Sequence, residues 1–283
     1  METINEIFPK KTEINQCIYC GSNGVPLQKE HIVPKSLGGS WVLHKASCKR
    51  CAIPTSKFEM FVGREQALII RAISNLPTSD KSKRPKTLPL RIKRGDREET
   101  IDVPLEYYPI HLSLELYAEP AYLNRRPYHK GTHVSGVGAI GANPLKISNQ
   151  YGIDSYTTKT TITGVNQALF LAKIAYGFAV YKHGANIFKD AHILPSVLGL
   201  KDDIGKWVGC TKRPLIVNTD LKATSKLHQI HLGVDKYKNI CASIRLFANY
   251  NGPVFSVIVA PGLDNSLCTS LFLKLRKIRG YNT

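Results

Sequence analysis

Long apolar runs are missing from this chain of 283 residues, and acidic residues are scarce in it. Nothing approaches the roughly 18 consecutive apolar residues that a membrane span needs. The most apolar helix-like stretch, Val165 to Tyr181, is interrupted by Lys173. The opening METINEIFPKK has two Glu and no apolar h-region, so no secretory signal is expected and the working class is a soluble, cytoplasmic protein. Low-complexity tracts and internal repeats are also lacking. The 43% of hydrophobic residues excludes disorder as the dominant state and is enough to build a core.

The shortage of acid leaves 39 Lys and Arg against 21 Asp and Glu, a formal net charge of +18. The excess is uneven: 10 basic against 7 acidic residues over 1–80, 11 against 7 over 81–130, and 18 against 7 over 131–283. Such a surplus favours a polyanionic partner, nucleic acid being the commonest, over a merely solvated basic surface. Charge alone does not separate DNA, RNA and an acidic membrane.

A disulfide framework is a further absence. Of seven cysteines, Cys210, Cys241 and Cys268 are scattered, and the odd total in a chain without a signal argues against paired bridges. The other four form two knuckles, Cys17-x2-Cys20 and Cys48-x2-Cys51, separated by 27 residues. That spacing fits a tetrahedral four-thiolate structural zinc site, whereas a redox CxxC would need one pair.

Between the knuckles, Gly21 and Gly24 mark a turn, and an extended segment from Val25 to Val33 sets Glu30 beside His31. Pro34 and Leu37-Gly38-Gly39 break that segment, and Trp41 to Leu43 read as a second short strand. The second knuckle opens a helix with Pro54 in its first turn. Phe58, Phe61, Val62, Leu68, Ile69, Ala72 and Ile73 recur on one face at three- and four-residue spacing.

This arrangement resembles the HNH endonucleases, specifically the four-cysteine zinc branch of the ββα-metal nucleases. The resemblance rests on Cys17/Cys20, Glu30-His31-Ile32-Val33-Pro34, Leu37-Gly38-Gly39, Cys48/Cys51 and Thr55-Ser56-Lys57-Phe58-Glu59. It implies a zinc-stapled, treble-clef-like module over residues 1–80 that hydrolyses phosphodiester bonds in DNA. In that reading His31 is the general base, and Glu30 holds a catalytic Mg²⁺ or Mn²⁺. The family pattern continues with Asn or His after the last knuckle cysteine, where this chain has Ala52, which ligates nothing. Glu59, at i+7 from Ala52 and on roughly the same helix face, is the substitute ligand, and its other reading is a dipole-favoured charge near a helix start. His44 is nearest to the signature's middle Asn and reads better as a phosphate contact. A zinc-stapled nucleic-acid binder without catalysis is the competing class.

Residues 75–87 read as an exposed basic linker. Thr87–Arg94 and Glu98–Leu105 read as a hairpin, with Lys83, Arg84, Lys86, Arg91 and Lys93 as candidate nucleic-acid contacts. Ile110–Tyr117 reads as a strand and 124–150, rich in Gly, Asn and Pro, as a loop. Inside it, Gly136-x-Gly138-x-x-Gly141 matches a dinucleotide fingerprint as a string, but no strong strand leads in and Asn143-Pro144 stands where a helix should open. Val165–Tyr181 reads as a buried helix, and 226–235, 239–248 and 253–260 as antiparallel strands. His228 and His231, three apart on the first of these, point to opposite faces and are not a shared metal site. The fold class expected is α+β: the zinc module, then a basic α+β domain over 81–283 with antiparallel strands around an apolar helix. That domain would hold nucleic acid or bind a regulatory ligand or protein, and two-strand cleavage by a single-site module favours a homodimer.

Overall fold

A computed structural model describes residues 12–78, 80–82, 84–124, 130–142, 144–159, 161–162, 164–185, 191–211, 225–235 and 237–262. It is an α+β protein with mixed helices and largely antiparallel sheets. In chain order, β1 (Thr12–Glu13), β2 (Leu27–His31) and β3 (Val42–Cys48) form a three-stranded sheet with β3 in the middle. Helix α1 (Lys49–Phe61) follows directly, then a single π-helical turn, Val62–Gln66, and α2 (Leu68–Ile73). Next come β4 (Thr87–Arg94), β5 (Arg97–Pro104) and β6 (Ile110–Tyr117), then α3 (Ala121–Asn124), β7 (Val134–Ala142), α4 (Pro144–Tyr151) and β8 (Ser155–Thr157). The chain continues with α5 (Val165–His183), α6 (Leu194–Val197) and β9 (Val208–Gly209). It closes with β10 (His228–Val234), β11 (Ile240–Leu246) and β12 (Val254–Ala260).

Helix α5 is the centre of the molecule. Its side chains are apolar almost all round, so a single buried face would leave hydrophobic area in water. Instead, every residue from Gln167 to Val180 except Leu169 is buried. One side meets the antiparallel sheet β10-β11-β12-β9 and the other meets β2 and α1. The knuckle residues, β2, α1, α5 and the C-terminal sheet therefore share one hydrophobic core, running from Cys17 and Ile32 through Phe170 and Ile174 to Phe255 and Ile258. A satellite core of Leu90, Ile92, Val103, Tyr108, Ile147 and Ile153 lies under the hairpin β4–β5. No described helix is long and apolar enough to cross a membrane.

The structure corrects several local expectations. The second strand of the knuckle region runs on from Val42 to Cys48 because Ala46, Ser47 and Cys48 are buried in the ladder with β2. Pro54 is the sixth residue of α1, beyond the first turn, and so withholds a donor from the carbonyl four residues earlier. The apolar spacing across 58–73 is not one continuous face. The π turn inserts a residue and rotates the later positions, leaving Leu68 49% exposed and Ile70 1% exposed. The same turn aims Gln66 inward, where its amide donates to the Ser113 carbonyl (2.9 Å) and the Gln167 side chain (2.6 Å), tying the module to β6 and α5.

Residues 124–150 are not a loop throughout: β7 pairs with β6 over its length, and α4 opens at Pro144, a residue suited to a first helical turn. Gly136, Gly138 and Gly141 thus sit inside a strand, where Gly138 faces the Leu116 side chain. The hairpin, the 110–117 strand, the buried helix and the three C-terminal strands are found where the sequence placed them.

Candidate zinc centre and active site

The first knuckle is a tight turn. Cys17 donates its amide to the Ser22 carbonyl and accepts from Gly21, whose φ of +73° suits a residue without a side chain. Ile18 donates to the Ala46 carbonyl and so fastens this turn to β3. The second knuckle lies at the start of α1, with Cys48 capping the helix and Cys51 in its first turn, where the helix dipole favours thiolate. The four Sγ atoms lie within 4.8 Å of one another, and none is in a disulfide. Thiolates at Zn–S distances of about 2.3 Å define a tetrahedron with edges of roughly 3.8 Å. The Cys20–Cys48 sulfur separation is 3.8 Å. Burial pushes the Cys51 thiol up, and its sulfur neighbours add to that. Cys20 is pulled down to about 6: burial opposes the shift, but the Ser22 hydroxyl (3.2 Å) and amide outweigh it. Crowded sulfurs of this kind fit one Zn²⁺, which would be held by Cys17, Cys20, Cys48 and Cys51 and would staple β3 and α1 to the first turn.

Strand alternation separates Glu30 from His31. Glu30 pairs with Leu43 and points into the core, 7% exposed, whereas His31 pairs with Val42 on the outer face and is half-buried. His44, two residues along β3 from Val42, shares that outer face, so the two histidines belong to one side of the sheet. Burial lowers the His31 pKa; the Lys173 ammonium contributes next, and Lys35 and Lys29 add to it against the pull of Glu30.

Behind the sheet, Glu30 and Glu59 do meet. What joins them is the side chain of Lys173, which reaches across from α5 and is itself 0% exposed. Its Nζ stands 2.7 Å from Glu30 Oε1 and 2.6 Å from Glu59 Oε1, and it also donates to the backbone carbonyls of His31 and Ile32. Burial alone would pull the lysine down, yet the two carboxylates more than offset it and raise its pKa. Burial pushes Glu59 up, as does Glu30, against the pull of Lys173. The residues expected to hold Mg²⁺ or Mn²⁺ therefore already share a cation. A divalent ion wants several oxygens at about 2.0–2.1 Å and would stand against a fixed ammonium that has no route to water. Glu30, Glu59 and Ala52 do not fit such an ion while Lys173 is in place.

The hairpin candidates are partly spent on one another. Arg91 pairs with Glu98 (2.6 Å), Lys93 lies across from Glu98 in the ladder, and Lys86 is exposed. Arg84 turns inward to the Leu76 carbonyl, and Lys83 lies outside the described residues. Lys173 is the residue that motif reading missed. Its signal was a lone charge in an otherwise apolar helix, which must find buried counter-charge.

No curated protein and no solved structure matches the chain. One family model, that of the HNH endonucleases, matches residues 17–59, the stretch that carries both knuckles, Glu30, His31 and Glu59.

Proposed function

We propose that residues 1–80 act as an HNH nuclease module that hydrolyses phosphodiester bonds in DNA, with His31 as general base. Residues 81–283, the basic α+β part, would bear on the nucleic-acid backbone and complete the module's interior through α5. The observation that carries this reading is the position of His31. It lies inside the matched stretch, on the outer face of β2, where burial and then Lys173 lower its pKa and favour the neutral imidazole. A neutral imidazole takes a proton from water while the water oxygen bonds to phosphorus; the bond to the leaving oxygen breaks, and that oxygen takes a proton from solvent. Lys29 and Lys35, which act on His31 electrostatically, would favour the approach of a polyanion to the same face. Because Lys173 already joins Glu30 to Glu59, no step here runs through Mg²⁺ or Mn²⁺.

A second reading, a zinc-stapled nucleic-acid binder without catalysis, is favoured by Ala52 together with the engagement of both carboxylates by Lys173. Plasmid cleavage by the zinc-loaded protein and by His31→Ala, with and without added Mg²⁺ or Mn²⁺, separates the two. Nicking or linearisation that is lost in the variant supports the nuclease. Salt-sensitive binding by both proteins, with no cutting under any condition, establishes the binder.

A further inference from the structure

Beside α1 and α2 the surface folds into a cavity of about 590 Å³ whose walls include Arg64, Arg71, Arg84, Ser36, Glu59 and Thr78. Three guanidinium groups on one concave surface repel one another. Burial lowers the pKa of Arg71 first, and the charges of Arg64 and Arg84 lower it further. Ordinarily such a cluster is relieved by carboxylates. Among the described residues none of the three arginines forms an ion pair, and the one acidic group on the wall, Glu59, shares the Lys173 ammonium (2.6 Å) with Glu30.

The arginines are positioned nonetheless. Arg71 donates through Nε to the Ser36 carbonyl (2.9 Å) and through Nη1 to the Gly63 carbonyl (2.7 Å), and Arg84 donates to the Leu76 carbonyl (2.5 Å). Each retains further N–H groups, since a guanidinium carries five. Arg64, exposed and on the π turn, has no hydrogen bond among the described residues and keeps its whole fork free. Two anchored guanidinium forks and a third free one, three positive charges against one carboxylate on the wall, suit a tetrahedral oxyanion better than a point cation such as lysine would.

We propose that this cavity is a binding site for a phosphate group, supplied either by the backbone of a nucleic acid or by a free nucleotide. The site stands apart from the cleavage chemistry: His31 is not among its lining residues, though Pro34 and Ser36 from the loop after it are. The proposal therefore holds or fails whether or not the module cuts.

The test uses the full chain carrying His31→Ala, so that neither probe is consumed, and measures affinity for a short fluorescein-labelled DNA duplex and for ATP. Arg64→Glu and Leu68→Glu each place an acid at an exposed position on the cavity wall and should leave the core intact. Lys201→Glu on an exposed turn is the control for net charge. The expected result is a loss of about tenfold or more in affinity with either cavity variant, against less than about threefold for the control. A loss confined to the duplex identifies backbone phosphate as the source, and a loss that includes ATP identifies a free nucleotide. Failure of both probes to bind the parent protein, or cavity variants no weaker than Lys201→Glu for both, overturns the proposal.

Discussion

The ammonium of Lys173, on the central helix α5, stands 2.7 Å from a carboxylate oxygen of Glu30 on β2. Together with the second carboxylate of Glu59, this contact ties the module matched to the HNH endonucleases to the rest of the chain through buried charge. It also decides what can occupy the space between the two acids.

Removing the lysine should be costly. Lys173→Met leaves the buried Glu30 and the half-buried Glu59 carboxylates without a counter-ion, and loss of about 3 kcal/mol is expected in urea unfolding. Combining it with Glu30→Gln and Glu59→Gln should recover most of that loss, because the penalty lies in the orphaned charges and not in the missing ammonium. A triple variant as unstable as the single one would contradict the account.

The same substitution should open a place for a metal. Manganese titrated into Lys173→Ala and followed by electron paramagnetic resonance should show a bound fraction beyond that of the parent protein. Equal binding in the two would mean that Lys173 does not exclude the ion.

Zinc is expected at one equivalent per chain, measurable by elemental analysis of purified protein. Cys48→Ser should lose it and unfold at markedly lower denaturant, since metal binding and folding of such a knuckle pair are one free energy. Full stability after exhaustive chelation would sink the structural role.

His228 on β10 is half-buried and bridges to the loop after β2: its Nε2 lies 2.7 Å from the Leu37 carbonyl, and Nδ1 accepts from the Phe247 amide. Burial lowers its pKa, outweighing the Leu37 carbonyl. As pH falls below the ordinary imidazole value near 6.5, the unfolded chain takes up this proton before the folded one, so stability present at neutral pH is lost progressively. His228→Gln, which keeps an N–H for Leu37, should show a shallower decline between neutral and mildly acidic pH in denaturant titrations. An unchanged slope would assign the pH dependence to other groups, His31 and His111 among them.

The neighbouring glycines are sterically required. A Cβ on Gly38 would stand 2.5 Å from the Leu227 side chain at a φ of +84°, and one on Gly39 would stand 1.9 Å from the Val33 carbonyl. Gly39→Ala should cost about 2–4 kcal/mol, more than Gly38→Ala, because Leu227 can move and the backbone carbonyl cannot. Thermal denaturation of both variants gives the order.

Much of this was legible in the chain. Cysteine spacing located the cluster of four sulfurs that could hold a metal, since two knuckles leave few geometries for them, and strand periodicity located β4, β6 and the C-terminal strands. The π turn at 62–66 was not legible, because its apolar residues keep near-helical spacing while the register shifts. Composition hid β7 and α4, since glycines that usually mark turns here lie in a strand paired with β6. The candidate site was half legible. Motif reading put Glu30, His31 and Glu59 together, but the partner of the two acids came from α5 through tertiary packing, which no local pattern encodes.

The proposed function rests above all on His31 as the base of a phosphodiester hydrolase. Its most direct test is the single-turnover cleavage rate of a labelled DNA duplex by zinc-loaded protein across mildly acidic to neutral pH, beside His31→Ala. With His31 as the base, the rate rises with pH through a pKa below the ordinary imidazole value and is lost in the variant. A flat profile, or a variant that cuts as fast as the parent, would contradict it.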